Sequence, residues 1–396
     1  MPRVPRVPSV PRPNCFTSQK ASERSERATR AERGLRGPAS ERARGSGGAK
    51  PPGSMKDKTM KSTFDALAFA RALINIDSTT GREPAAGRWL SRELEQLGYS
   101  VVQQEVGDGR ANVYATIDPP VVVFSTHYDC VPPFFASHVE DGKLYGRGAC
   151  DAKGILAAQV AAAERLRANG ERRVGLLFVV GEERGSDGAA VANATPGGSR
   201  FLINGEPTDN RLGTGTRGVL RLRLRASGRA AHSATPEHGE SAIDKLIDAL
   251  VALRSSRLPS DSDLGSTYYS IGLIEGGIAP NVISPSASAE VLFRTVGPPE
   301  DILHAIQPLE RLVTSEEILR VPVVKLHTVP GFPTEAFRFT TDIPFLDRWG
   351  TPLLFGPGSI LVAHTSHEHL DLGELERAID AYEQLAKECL KKGASA

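Results

Sequence analysis

Long apolar runs are missing from this sequence. None approaches the roughly 20 residues that cross a bilayer, so a membrane-spanning helix is excluded. Cysteine is scarce: Cys15, Cys130, Cys150 and Cys389 form no C-x-x-C pair and no dense framework, which excludes a disulfide scaffold and leads us to expect a reducing, cytoplasmic compartment. Neither charge dominates, with 48 Lys and Arg against 47 Asp and Glu, so no overall field draws in nucleic acid or an anionic membrane. What is present is length. A chain of 396 residues suffices for two domains and a large buried core.

The charge balance hides an asymmetry. Residues 1–50 hold 12 Arg and Lys and 4 Glu, so residues 51–396 carry 36 basic against 43 acidic groups, the mildly acidic balance of a soluble enzyme. The first 54 residues are rich in Arg, Pro, Ser and Gly and have almost no large apolar side chains. Such a segment buries too little surface to offset its ordering entropy, and it is expected to be a disordered extension. Glu23, Glu26, Glu32 and Glu41 argue against an organelle transit peptide, and no apolar core marks a secretory signal. A start assigned too far upstream is the plainer reading, with Met55 or Met60 just before the first patterned helix.

From Phe64 onward the pattern is regular. Helical spacing runs from Phe64 to Ile74 and from Arg88 to Leu97, and the Ala-rich stretch Lys153–Asn169 ends at Gly170. Between them lie strands at 99–106, 112–115, 121–125, 174–180 and 200–204, of which the last three are almost wholly apolar. Buried strands alternating with helices predict an α/β fold, a mixed sheet sandwiched by helices. After residue 215 the character changes. In VLRLRLRA, Leu220, Leu222 and Leu224 take one face, while Arg221, Arg223 and Arg225 take the other, solvated one. A helix at 241–253, strands at 267–274 and 287–294, a helix interrupted by Pro308 and a strand near 321–326 follow. This β-α-β-β-α-β order predicts a smaller α+β, ferredoxin-like domain inserted in the first. The expected organisation is therefore an extension (1–54), a catalytic domain in two parts (55–214 and 328–396) and the inserted domain (215–327). No internal repeat stands out.

One motif is a decoy. GTGTRG (213–218) satisfies G-x-G-x-x-G, but that fingerprint needs a helix after it to hold a phosphate, and here an alternating strand follows; a turn is sufficient.

The chemistry gathers at strand ends. FSTHYDCVPP (124–133) closes an apolar strand with His127 and Asp129, which share one face of an extended chain, so the carboxylate can orient the imidazole. Taken alone, this is an ordinary surface histidine beside an acid. Four further stretches change its weight. Asp151 sits in LYGRGACDAKG before the Ala-rich helix, Glu182 and Glu183 follow the strand 174–180, Glu206 follows 200–204, and His364 lies in AHTSHEHL. Each has a bland reading of its own, as a helix cap, a solvated pair or a structural histidine. Solvated acids, however, have no reason to recur at the ends of successive buried strands, where parallel sheets bind ligands. Three carboxylates and two imidazoles satisfy two zinc ions that share one carboxylate and one water.

H-x-D before V-P, G-R-G-A-x-D-x-K-G, E-E, E-P-T and the late A-H-T together resemble the dizinc aminoacylase/carboxypeptidase family, which includes acetylornithine deacetylase, succinyl-diaminopimelate desuccinylase and glutamate carboxypeptidase. The resemblance runs from about Phe64 to the C-terminal helix. It implies that His127 and Glu206 bind one zinc, Glu183 and His364 the other, with Asp151 bridging; cobalt or manganese could replace zinc. It further implies that Asp129 orients His127 and that Glu182 is the general base. His232 would polarise the scissile carbonyl across a homodimer formed by the inserted lid domain, and Asn281 and Arg294 would hold the substrate carboxylate. The expected reaction is removal of an acyl group from an N-acyl amino acid, with di-, tri- or carboxypeptidase action at the same site as the alternative. The chain departs from the family where Asp-Glu or Asn-Glu usually follows the late histidine: here His367-Glu368 stands. His364 alone occupies the A-H-T frame, which leaves His367 as a supporting or surface residue and His369 as a surface one.

Overall fold

The computed structural model describes residues 64–393, so the expected extension, with Cys15, Met55 and Met60, lies outside the described residues. A six-stranded mixed sheet runs in the order Ser100–Gly107, Arg110–Thr116, Val174–Val179, Val122–His127, Phe201–Asn204 and Thr351–Leu354. The last four are parallel, and the first two join antiparallel at one edge.

The apolar runs become interior strands because both of their faces are covered. Phe124, Leu176, Phe178 and Ile203 point to one side, where the helices Ala66–Ile74, Pro84–Gln96, Lys153–Ala168 and Leu372–Gly393 pack. Val123, Leu177, Val179 and Leu202 point to the other, onto the helix Asp187–Ala194 and the fully buried Trp349. Each large side chain removed from water in this way contributes roughly 1.5–3 kcal/mol. The helix Lys153–Ala168 is buried almost all round, and its many alanines are what let it lie flat on the sheet between two further helices. The expected α/β sandwich is the observed one.

A second, four-stranded antiparallel sheet is ordered Tyr268–Gly276, Ser286–Thr295, Gly218–Ser227 and Thr314–Val321, with the helices Ala242–Ser255 and Pro299–Ile306 packed on it. This is the ferredoxin-like β-α-β-β-α-β order, with its own core of Leu220, Leu222, Leu224, Val291 and Phe293. Its fourth strand lies at 314–321 rather than near 321–326, because Pro322 ends the ladder and TSEEILRV, an acid-rich edge, pairs instead. Nor are Arg221, Arg223 and Arg225 simply solvated. Glu290 on the next strand accepts from Arg221 Nε (2.8 Å) and Arg223 Nη2 (2.7 Å), and Glu316 accepts from Arg225 Nη2 (2.9 Å). GTGTRG is not a turn either: Leu212–Thr216 is a strand in a small three-stranded sheet that runs on into Gly218–Ser227.

Candidate metal centre

Four parallel strands end on the same edge of the large sheet, and the loops that leave them carry the acids and imidazoles. His127 is the last residue of Val122–His127 and is 1% exposed. Its Nδ1 lies 3.0 Å from the Asp129 carbonyl oxygen and 3.5 Å from Asp129 Oδ1, and its Nε2 lies 2.9 Å from Asp151 Oδ1. The nearer partner of Nδ1 is thus the backbone carbonyl, with the carboxylate behind it. Asp129 has further work: its oxygens accept the backbone N–H groups of Glu182 (3.2 Å) and Glu183 (3.3 Å) and the Thr80 hydroxyl (3.0 Å). One buried carboxylate therefore fixes His127 and the Glu-Glu turn together.

That turn depends on Gly181, whose φ of +76° reverses the chain immediately after its strand; a Cβ there would collide with Asp187 Oδ1. Glu182 and Glu183 follow, partly buried. His364 meets them from the C-terminal part of the chain. Its Nε2 lies 3.1 Å from Glu183 Oε1 and 3.3 Å from Asp151 Oδ2. Its φ of +63° is costly for a residue with a Cβ, by about 1–3 kcal/mol, a strain that accumulates at functional sites. Glu206, two residues beyond Phe201–Asn204, is 5% exposed, and its Oε1 has no hydrogen-bond partner.

The electrostatics of the cluster are those of too many acids. Burial, then the neighbouring Glu182, pushes Glu206 well above the usual carboxylate range, and burial does the same to Glu182. Burial opposes the charge on His127, but its contacts with Asp129 and Asp151 raise its pKa well above that of a free imidazole. His364 is raised to about 10 by Asp151 and Glu183. Burial would lift Asp151, yet hydrogen bonds from both histidines hold it below its ordinary value. Protons thus stand in for positive charge that the donor set calls for. His127, Asp151 and Glu183 each offer a ligand atom within 4.8 Å of the others, and Glu206 keeps a buried oxygen unbonded. Hard oxygen and imidazole donors so arranged fit divalent cations.

Seven of the residues expected from the sequence come together here: His127, Asp129, Asp151, Glu182, Glu183, Glu206 and His364. Three do not. His232 is exposed, and its Nδ1 accepts the N–H of Ala234 in its own loop (3.1 Å). The backbone carbonyl of the exposed Asn281 accepts the N–H of Ser233 (3.0 Å), so these two loops form one surface on the second sheet. Arg294 is half-buried, opposite Val219 and Tyr268. Among the described residues no hydrogen bond joins these three to the cluster. Sequence reasoning also missed residues. Thr80 reaches Asp129 from 49 positions away, a distance no local motif signals. Asp342 is wholly buried with Ser186 as its polar neighbour, and burial pushes its pKa to about 7. Glu368 stood in the sequence only as half of an unusual pair.

Residues 123–388 match the description "Peptidase family M20/M25/M40". A probable carboxypeptidase of Aspergillus clavatus is 35% identical over 374 residues, which cover 82% of this chain and 83% of that protein. A tripeptidase from Staphylococcus aureus shares the fold at a TM-score of 0.69 and 21% identity, covering 81% of this chain and 98% of that one. A Bacillus subtilis dinuclear metal binding peptidase shares it at a TM-score of 0.62 and 17% identity, covering 81% and 96%.

Proposed function

The chain belongs to peptidase family M20/M25/M40, and from that premise we propose that it is a two-cation exopeptidase, a carboxypeptidase or a di- or tripeptidase, with Glu182 as its general base. The observation that carries this reading is Asp151, whose two oxygens face two histidines on opposite sides, 2.9 Å from His127 and 3.3 Å from His364. A carboxylate so placed is suited to being shared. His127 and Glu206 would hold one cation and Glu183 and His364 the other, with Asp151 common to both; zinc suits the donor set, as do cobalt and manganese.

When bound, such cations polarise the scissile carbonyl and lower the pKa of a water towards neutrality. The residues of the chain do the rest. Glu182, pinned by its backbone N–H to Asp129 and kept off the ligand set, accepts a proton from the attacking water and returns it to the leaving amine. Asp129 keeps His127 and the Glu182–Glu183 turn in register. Arg294 and Asn281 would hold the free carboxylate of the substrate, Arg294 by a two-pronged contact.

His232 lies apart from the cluster within one chain, and we assign it to the site of a second copy, where it would meet the developing negative charge on the carbonyl oxygen. Support for a homodimer comes from the second sheet. Its edge strand Tyr268–Gly276 exposes Leu273 and Ile274, and the neighbouring helix exposes Ile247 and Val251, an apolar surface suited to association.

The expected substrate was an N-acyl amino acid. The same amide chemistry serves a peptide bond, and the names carried by the relatives favour peptides. Purified protein loaded with zinc, cobalt or manganese should release amino acids from di- and tripeptides and from C-terminally free, N-blocked dipeptides. Cleavage of acetylornithine, acetyl-lysine or succinyl-diaminopimelate faster than of every peptide would return the assignment to a deacylase.

A further inference from the structure

Glu368 is fully buried, and every contact of its carboxylate runs to one loop. Oε1 accepts the backbone N–H groups of Gly148 (3.0 Å), Cys150 (3.1 Å) and Asp151 (3.0 Å), and Oε2 accepts Arg147 Nη1 (2.6 Å). Its own carbonyl accepts the N–H of Gly146 (3.2 Å). The same Arg147 reaches the segment that leaves His127 and Asp129: Nε donates to the Pro133 carbonyl (3.2 Å), and the guanidinium lies 5.1 Å over the Phe135 ring. One buried ion pair thus ties together the loops that carry Asp129, Asp151 and His364.

An anion buried at this depth persists only because four donors converge on it. Three of those donors are main-chain groups of the loop that ends at Asp151, and Glu368 stands four residues after His364. The carboxylate is therefore a spacer between the two groups whose separation, 3.3 Å from His364 Nε2 to Asp151 Oδ2, must suit one ion. His364 is also the most exposed group of the cluster, which leaves it the most dependent on such support.

We propose that Glu368 is a positioning residue that sets the spacing of Asp151 and His364 and thereby the retention of the cation these two would share with Glu183. This rests on the two-cation reading above, and the experiment separates the two. Zinc is titrated into stripped wild-type protein, Glu368→Gln and Glu368→Ala by calorimetry, with bound metal counted by mass spectrometry. Wild type binding fewer than two ions would sink the two-cation reading itself. With two ions in wild type, both variants should bind at least one of the ions about 10–100-fold more weakly. Peptidase kcat should fall at limiting zinc, recover in excess zinc and leave KM within about twofold. Glu368→Gln has the same size and carries the test if Glu368→Ala does not fold. Two ions at wild-type affinity in Glu368→Gln, a kcat loss that excess zinc does not restore, or failure of that variant to fold would each overturn the proposal, the last two by showing support of the fold alone.

Discussion

Asp151 stands between two histidines that lie 24 positions before it and far after it in the chain, its Oδ1 2.9 Å from His127 Nε2 and its Oδ2 3.3 Å from His364 Nε2. Nothing in a folded core asks a buried carboxylate to face two imidazoles, whereas a pair of cations does. Asp151→Asn keeps the shape but offers one acceptor oxygen where two are used, and it removes the negative charge between the two positions. The variant should bind zinc at least about tenfold more weakly and lose peptidase activity at limiting zinc, read by bound-metal analysis after dialysis. Two tightly held ions in Asp151→Asn would mean that Asp151 bridges nothing.

Glu182 differs from its neighbour in what it touches. Glu183 contacts His364, while among the described residues the hydrogen bonds found for Glu182 are main-chain ones, its N–H donating to Asp129 and its carbonyl accepting from Gly185. Its carboxylate, raised by burial, is left to handle a proton. Glu182→Gln should retain full metal content and lose about 10²–10⁴-fold in kcat, the range typical of a general base. Glu183→Gln, by contrast, should lose metal along with activity. If the two variants behave alike, the division of roles between adjacent glutamates is wrong.

Much of this site was legible in the sequence because apolar runs without polar interruption have few fates. VVF at 122–124 and VGLLFV at 174–179 had to be interior strands, and an acid or histidine directly after such a strand has to emerge at the sheet edge. The inserted sheet was read correctly except for its last strand, where TSEEILRV lies exposed on an edge and its acids mask the alternation. Glu368 was unreadable for a different reason. A glutamate among three histidines looks solvated, and only the fold reveals that three backbone N–H groups of a loop some 220 positions earlier point at it. Asp342 likewise gives no local sign of being wholly buried.

His232 sits on an exposed loop that bonds within itself and to the neighbouring segment 281–283. If it serves the site of a second copy, His232→Ala should leave metal content and melting temperature unchanged while kcat falls about 10²–10³-fold, the cost of one oxyanion donor. Mixing inactive Glu182→Gln with inactive His232→Ala should then restore part of the activity, because a mixed dimer contains one intact pairing. Absence of any recovery after subunit exchange would confine His232 to its own loop.

The two imidazoles also set a pH signature. In stripped protein the contacts with Asp151 and Glu183 push the pKa of His364 up to about 10, and His127 is raised by Asp129 and Asp151 despite its burial. A folded-state pKa above the unfolded value of about 6.5 means that the protonated form stabilises the fold. That contribution is complete below about pH 6.5 and is lost as pH climbs through the folded-state values, so the stripped protein should melt at progressively lower temperature from about pH 6.5 to 10. Cation binding has the opposite slope, because both nitrogens must lose their protons first; affinity should rise over the same interval, and protons should be released on binding. The rise in melting temperature produced by a fixed cation concentration should therefore be larger at pH 9 than at pH 7. Calorimetry in buffers of different ionisation enthalpy counts the released protons, and His364→Asn should remove about one of them. A stripped protein more stable at pH 9 than at pH 7, or binding without proton release, would show that these histidines are neutral before any cation arrives.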